Sequence, residues 1–141
     1  MVRFLIGMGS NIEPEHHLCA AAQAIRQQFG QVDFSSVYRS KAVGMDGDDF
    51  LNACCIFSAD LTHENLLYWL KALEDEHGRD RSEGSWKPRT LDLDILLIDD
   101  AVVDEDLYRY GHIFVPASEL IRLKRPQNVQ FTELVQINVN L

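Results

Sequence analysis

Asp92 and Asp94 stand two residues apart at the head of a Leu- and Ile-rich run, within Trp86-Lys-Pro-Arg-Thr-Leu-Asp-Leu-Asp94. Residues i and i+2 of a β-strand project from one face, so the two carboxylates lie side by side where a strand enters the core. Just upstream are Arg79, Arg81, Lys87 and Arg89. Carboxylates suit a hard cation such as Mg²⁺, which keeps waters and bridges substrate phosphates. Guanidinium groups pair with phosphate oxygens. Together they suggest a divalent metal beside a polyphosphate. A solvent-facing acid pair next to a solvated basic loop is the plainer alternative, and D-x-D alone is a weak motif.

Other side chains invite the same two-sided reading. Asn52 is a lone amide in an apolar strand, two residues after Phe50. A buried amide needs partners. It could read the edge of a planar heterocycle while Phe50 stacks on its face, or it could bond to backbone. Glu74 falls where a helix should approach the basic loop, either orienting Arg79 or standing exposed. Trp86, in a polar loop, could pack on the core or close over a ligand. The five histidines show no zinc spacing, and no P-loop motif occurs.

These residues need a frame. Val2–Met8 reads as a buried strand, followed by a turn at Gly9-Ser-Asn11. Pro14 suits the first turn of a helix, in which Leu18, Ala21, Ala22, Ile25 and Phe29 recur at helical spacing; Gly30 ends it. Val32–Arg39 and Phe50–Ser58 read as strands. In the latter, Leu51, Ala53, Cys55 and Phe57 take one face, and Asn52, Cys54 and Ile56 the other. Thr62 can cap a helix carrying Leu66, Leu70 and Leu73, with Gly78 beyond its end. Thr90–Ile98 is the fourth strand. The order β-α-β-β-α-β predicts an α+β, ferredoxin-like sandwich, an antiparallel sheet with helices on one face. Beyond Val103 the pattern weakens. Pro116–Leu120 could start a short helix, and Phe131–Val139 could form a strand in a short C-terminal extension.

At 141 residues the chain is expected to be one domain, 1–141. Its net charge of −9 argues against a general nucleic-acid binder. Yet four of its 13 basic residues fall between Arg79 and Arg89, so local charge opposes the global sign. No apolar run reaches membrane-spanning length and no signal-peptide pattern opens the chain. Cys19, Cys54 and Cys55 lack metal-ligand spacing and read as buried thiols. A cytoplasmic monomer, without membrane or nucleic-acid partners, is the expectation.

Taken in order, Gly9-Ser-Asn11, Tyr38-Arg-Ser40, Phe50-Leu-Asn-Ala53, Glu74, Gly78-Arg79-Asp-Arg81 and Trp86–Asp94 resemble the 6-hydroxymethyl-7,8-dihydropterin pyrophosphokinase family of folate biosynthesis. The resemblance spans roughly Val2 to Val103 and implies a ferredoxin-like fold. It implies transfer of the pyrophosphoryl group of ATP to a pterin hydroxymethyl, leaving AMP. Asp92 and Asp94 would hold two Mg²⁺ ions, with Asp92 also on the pterin side. Arg79 and Arg89 would be catalytic phosphate contacts. Glu74, Arg81, Trp86 and His112 would complete the ATP side, with Arg109 an alternative near His112. Ser40, Val43, Phe50 and Asn52 would bind the pterin, and Phe114 would supply a second stacking ring. The chain departs from the family where Lys87 replaces a usual Gly, and in a shortened Leu107–Pro116 region that lacks a Pro-His pair. A non-catalytic or altered-specificity pterin- or nucleotide-binding relative is the alternative those departures motivate. A palm-like nucleic-acid enzyme is disfavoured by the −9 charge.

Overall fold

A computed structural model describes residues 1–41, 49–78, 90–126 and 134–141. Strand β1 (Val2–Ser10) runs through the middle of the sheet. On one side it pairs antiparallel with β4 (Phe50–Ala59), from Val2 opposite Ala59 to Ser10 opposite Leu51. On the other it pairs antiparallel with β5 (Asp92–Ile98). Strands β2 (Val32–Phe34) and β3 (Val37–Ser40) both pair with β4. The short strands β6 (Ala101–Val102) and β7 (Val135–Ile137) extend the edges, giving the order β6-β5-β1-β4-β3-β7.

Helix α1 (Pro14–Phe29) begins at its proline and stops at Gly30, where φ is 79° and the N–H donates to the Arg26 carbonyl at 2.9 Å. Helix α2 (His63–Glu76) is capped by Thr62, whose hydroxyl accepts from the Asn65 N–H at 3.1 Å. Such a cap contributes about 1 kcal/mol. Leu18, Ile25, Leu66 and Leu70 are fully buried, and each contributes about 1.5–3 kcal/mol. Packing, not capping, therefore holds the helices. Both lie on the sheet face formed by Phe4, Ile6, Met8, Ala53, Cys55, Phe57, Leu93 and Ile95. Leu5, Cys54, Leu96 and Leu97 face the other way, in a second cluster with Leu107 and Ala117. Those last two belong to α3 (Asp106–Arg109) and α4 (Gly111–Leu120), so the C-terminal extension covers part of the second face.

The expected strand Val32–Arg39 is divided. Phe34 stands opposite Cys55 but Tyr38 opposite Asn52, so three residues face two, a β-bulge. Ser35 fills the gap: its N–H donates to the Cys54 carbonyl at 2.9 Å, and its hydroxyl accepts the Cys54 N–H at 2.8 Å. A second bulge lies in β5, where Leu5 faces Leu97 but Ile6 faces Ile95. The extra residue, Leu96, joins Leu97 on the second face. The helix expected to start at Pro116 starts at Gly111 and contains the proline, which is buried. Apolar burial there outweighs the missing N–H. Cys54 and Cys55 are buried as expected, but Cys19 is exposed on α1.

Candidate active site

The register of β1 lines up the candidate residues. Gly9 stands between Asn52 of β4 and Asp92 of β5, and Gly7 stands between Cys54 and Asp94. These two cross-strand rows lie on the face away from α1 and α2. Because neighbouring strands are spaced about 4.8 Å apart, Asn52 and Asp92 lie about 10 Å apart across the glycine. Glycines on the central strand leave that row low. A Cβ built on Gly9 would come 3.5 Å from Asn52 Oδ1 and 3.8 Å from a Phe50 ring carbon. One on Gly7 would meet Leu96 Cδ1 at 3.3 Å.

Above this floor lies a cavity of about 440 Å³. Asn52, Asp92, Asp94 and the two glycines line it from the sheet. Ser40, Lys41 and Phe50 line one edge, and Asp106, Tyr110, His112 and Ile113 come from the α3–α4 region. Its size is that of small-molecule sites, roughly 300–1,000 Å³.

Asn52 is 5% exposed. Its Nδ2 donates to Ser40 Oγ at 2.7 Å and to the Tyr38 carbonyl at 3.3 Å. A carbonyl can only accept, so the amide NH₂ must face that side and Oδ1 must face Gly9. The cavity is thus offered a fixed acceptor, complementary to ring N–H or exocyclic NH₂ groups.

Asp92 is half-buried and Asp94 exposed, both on the cavity wall. Among the described residues, no group of three or more His, Cys, Asp or Glu side chains could hold a metal ion. Two carboxylates without nitrogen or sulfur ligands fit Mg²⁺, which takes its remaining oxygens from water and phosphate. They fit Zn²⁺ poorly.

Glu74 is 1% exposed, which excludes the exposed-acid alternative. Its Oε2 accepts the Leu93 N–H at 2.6 Å. Leu93 sits between the two aspartates, where β5 has β1 on one side and β6 pairs only farther along. The α2 carboxylate thus supplies an acceptor to the strand segment that carries both acids.

The fold therefore brings Ser40, Phe50, Asn52, Asp92, Asp94 and His112 to one cavity. Phe114 is a correction: it is buried, with its ring 5.9 Å from Tyr108, and is not on the cavity wall. Helical rotation turns His112 and Ile113 to the cavity instead. The His112 ring stacks on Tyr110, at 5.4 Å and 27°, and burial lowers its pKa. Arg109 is exposed and lies 3.4 Å from Asp106. Arg79, Arg81, Trp86, Lys87, Arg89 and Val43 lie outside the described residues. Sequence reasoning missed Asp106, Tyr110 and the role of Gly7. The spacing of Gly7 and Gly9, equal to that of the aspartates, is the signal that could have found the floor.

An antiparallel, ferredoxin-like sheet with a cavity walled by a fixed amide and an acid pair defines a small-molecule-binding α+β domain. Residues 5–125 match the model of 7,8-dihydro-6-hydroxymethylpterin-pyrophosphokinase (HPPK). Similar relatives named 2-amino-4-hydroxy-6-hydroxymethyldihydropteridine pyrophosphokinase occur in several bacteria. That of Haemophilus influenzae is 35% identical, over 96% of this chain and 92% of the relative. That of Pseudomonas putida is 35% identical, over 82% and 98%. That of Aquifex aeolicus is 32% identical, over 82% and 72%. The chain belongs to the HPPK family, whose members are pyrophosphate-transferring enzymes.

Proposed function

We propose that this chain transfers the pyrophosphoryl group of ATP to the hydroxymethyl of 6-hydroxymethyl-7,8-dihydropterin, giving AMP and the pterin diphosphate. The observation that carries the reading is the row Asn52–Gly9–Asp92, an acceptor and a carboxylate facing one cavity across a flat glycine floor. A bicyclic heterocycle with a one-carbon arm bridges a gap of that length. Asn52 Oδ1 would take the N–H edge of the ring, and the arm would point toward Asp92 and Asp94. Phe50 would stack on one side of the ring. His112, with Tyr110 behind it, would cover the other in place of Phe114.

In the reaction the hydroxymethyl oxygen forms a bond to the β-phosphorus of ATP. The bond from that phosphorus to the α–β bridging oxygen breaks, AMP leaves, and the alcohol proton passes to solvent. Asp92 and Asp94 would hold the Mg²⁺ ions, two by the family resemblance. When bound there, Mg²⁺ would supply positive charge to offset that of the phosphates. Placing both carboxylates on one strand means that little of the chain has to reorganise. The phosphate-side roles of Arg79, Arg81, Trp86 and Arg89, with Glu74 behind them, rest on the motif resemblance, as does the pterin-side role of Val43.

The test is to incubate the protein with ATP, Mg²⁺ and 6-hydroxymethyl-7,8-dihydropterin and follow the nucleotides by chromatography. AMP should appear in step with the pterin diphosphate. Release of ADP would refute the reading. Tight binding of both substrates without AMP would instead favour the non-catalytic relative.

A further inference from the structure

Away from the cavity, α1 and α2 meet through two histidines. His17 Nδ1 and His77 Nδ1 are 2.6 Å apart. The rings meet edge-on, with centroids 4.9 Å apart at 66°. His17 is buried and His77 half-buried. An imidazole Nδ1 either donates a proton or offers a lone pair. At this separation the gap holds one proton. With none, two lone pairs face each other; with two, a pair of N–H donors collide. A neutral pair satisfies the gap when one ring is the Nδ1–H tautomer and the other the Nε2–H tautomer. A single added proton keeps the bond, and a second breaks it.

We propose that His17 and His77 form a one-proton latch between the first turn of α1 and the C-cap of α2. Acid opens it, loosening the α2 turn that holds Glu74 against the Leu93 N–H. The path is short. The His77 backbone N–H donates to the Glu74 carbonyl at 3.1 Å, and the Glu74 carboxylate accepts the Leu93 backbone N–H, between Asp92 and Asp94. The two histidines are therefore positioning residues, and the latch stands independently of the reaction proposed above.

Among the described residues, the groups acting on the pair are Glu13 at the N-cap of α1, His16 of α1 and Glu76 of α2. Burial is the largest influence on both rings and lowers both pKa values; His16 opposes charge further, while Glu13 favours it at His17 and Glu76 at His77. Because the folded values are lowered, the stability contributed by the pair is present above the unfolded value, about 6.5. It is lost as pH falls through the folded values.

The experiment is nuclear magnetic resonance on the intact chain labelled with ¹⁵N-histidine. At neutral pH one ring should be the Nδ1–H tautomer and the other Nε2–H, joined by a ¹⁵N–¹⁵N coupling through the hydrogen bond. Finding both rings as Nε2–H tautomers would overturn the latch. Leu93 amide protection, corrected for intrinsic exchange, should then fall below about pH 6.5, by up to about tenfold per pH unit per proton linked. In His77→Gln only one of the two linked protons remains, so that pH dependence should be at least halved between about pH 5 and 7. Parallel Leu93 profiles in the two proteins would refute the coupling. His17→Phe, which keeps a ring on α1, gives the same comparison if His77→Gln folds poorly.

Discussion

Replacing Glu74 tests how the acid pair is held. The Glu74 carboxylate is buried and accepts the Leu93 N–H at 2.6 Å. Hydrogen bonds to a charged group contribute about 1.5–3 kcal/mol, and a buried donor left unpaired costs about 1–3 kcal/mol, two overlapping measures of one loss. Glu74→Ala removes the acceptor and strands that N–H. The expected loss is about 3 kcal/mol, or a fall in Tm of roughly 9 °C for a chain of this size. Glu74→Gln keeps an acceptor oxygen of the same reach for the Leu93 N–H, while it gives up the charge and replaces the second oxygen with an NH₂ donor. Its expected loss is about 1 kcal/mol, roughly 3 °C. Thermal and urea unfolding at neutral pH would measure both, and Leu93 amide exchange would localise the effect. An alanine variant melting within about 2 °C of the parent, a loss of under about 1 kcal/mol, would refute the reasoning. So would a glutamine variant as unstable as alanine, because a lost acceptor would then not be the cause.

Other substitutions separate the parts of the cavity. Asp92→Asn and Asp94→Asn should each lower pyrophosphoryl transfer by at least about a hundredfold; activity within a few-fold of the parent would remove that acid from the reaction. Asn52→Leu deprives the ligand of its acceptor, and dihydropterin binding should weaken about 10- to 100-fold while ATP binding is unchanged, as calorimetry would report. Equal losses for both ligands would point to general damage instead. Gly9→Val should fold, since Val suits a strand, yet its γ-methyls would project toward Asn52 and Phe50 and block the floor. Undiminished pterin affinity in that variant would show that the ligand does not lie across Gly9.

Local patterning makes much of this molecule legible in its sequence. The helical stripes Leu18–Ile25 and Leu66–Leu73, the helix start at Pro14, the cap at Thr62 and the alternation along Phe50–Ser58 are nearest-neighbour properties. They depend on backbone periodicity and on which side chains avoid water. The pairing of Asp92 with Asp94 is of the same kind, because spacing two on a strand means one face. Other features were not local. The bulge at Ser35 arises because a serine hydroxyl replaces a backbone partner on β4, and only strand pairing reveals the exchange. Phe114 looked like the aromatic cover, but the helix that carries it starts at Gly111, five residues before the proline expected to open it. That phase turns His112 to the cavity and Phe114 inward.

By itself, the sequence determined the β-α-β-β-α-β order, the inward faces of both long helices, and the acids and amide able to do chemistry. These follow from composition read at the periods of helix and strand. Tertiary structure alone decided that Asn52, Gly9 and Asp92 share one row and that Glu74 reaches the strand between the aspartates. It also set His17 against His77, sixty residues away. Register, helix phase and interhelical contact are properties of pairs distant in the chain. Their energies depend on the packed whole, so no local spacing encodes them.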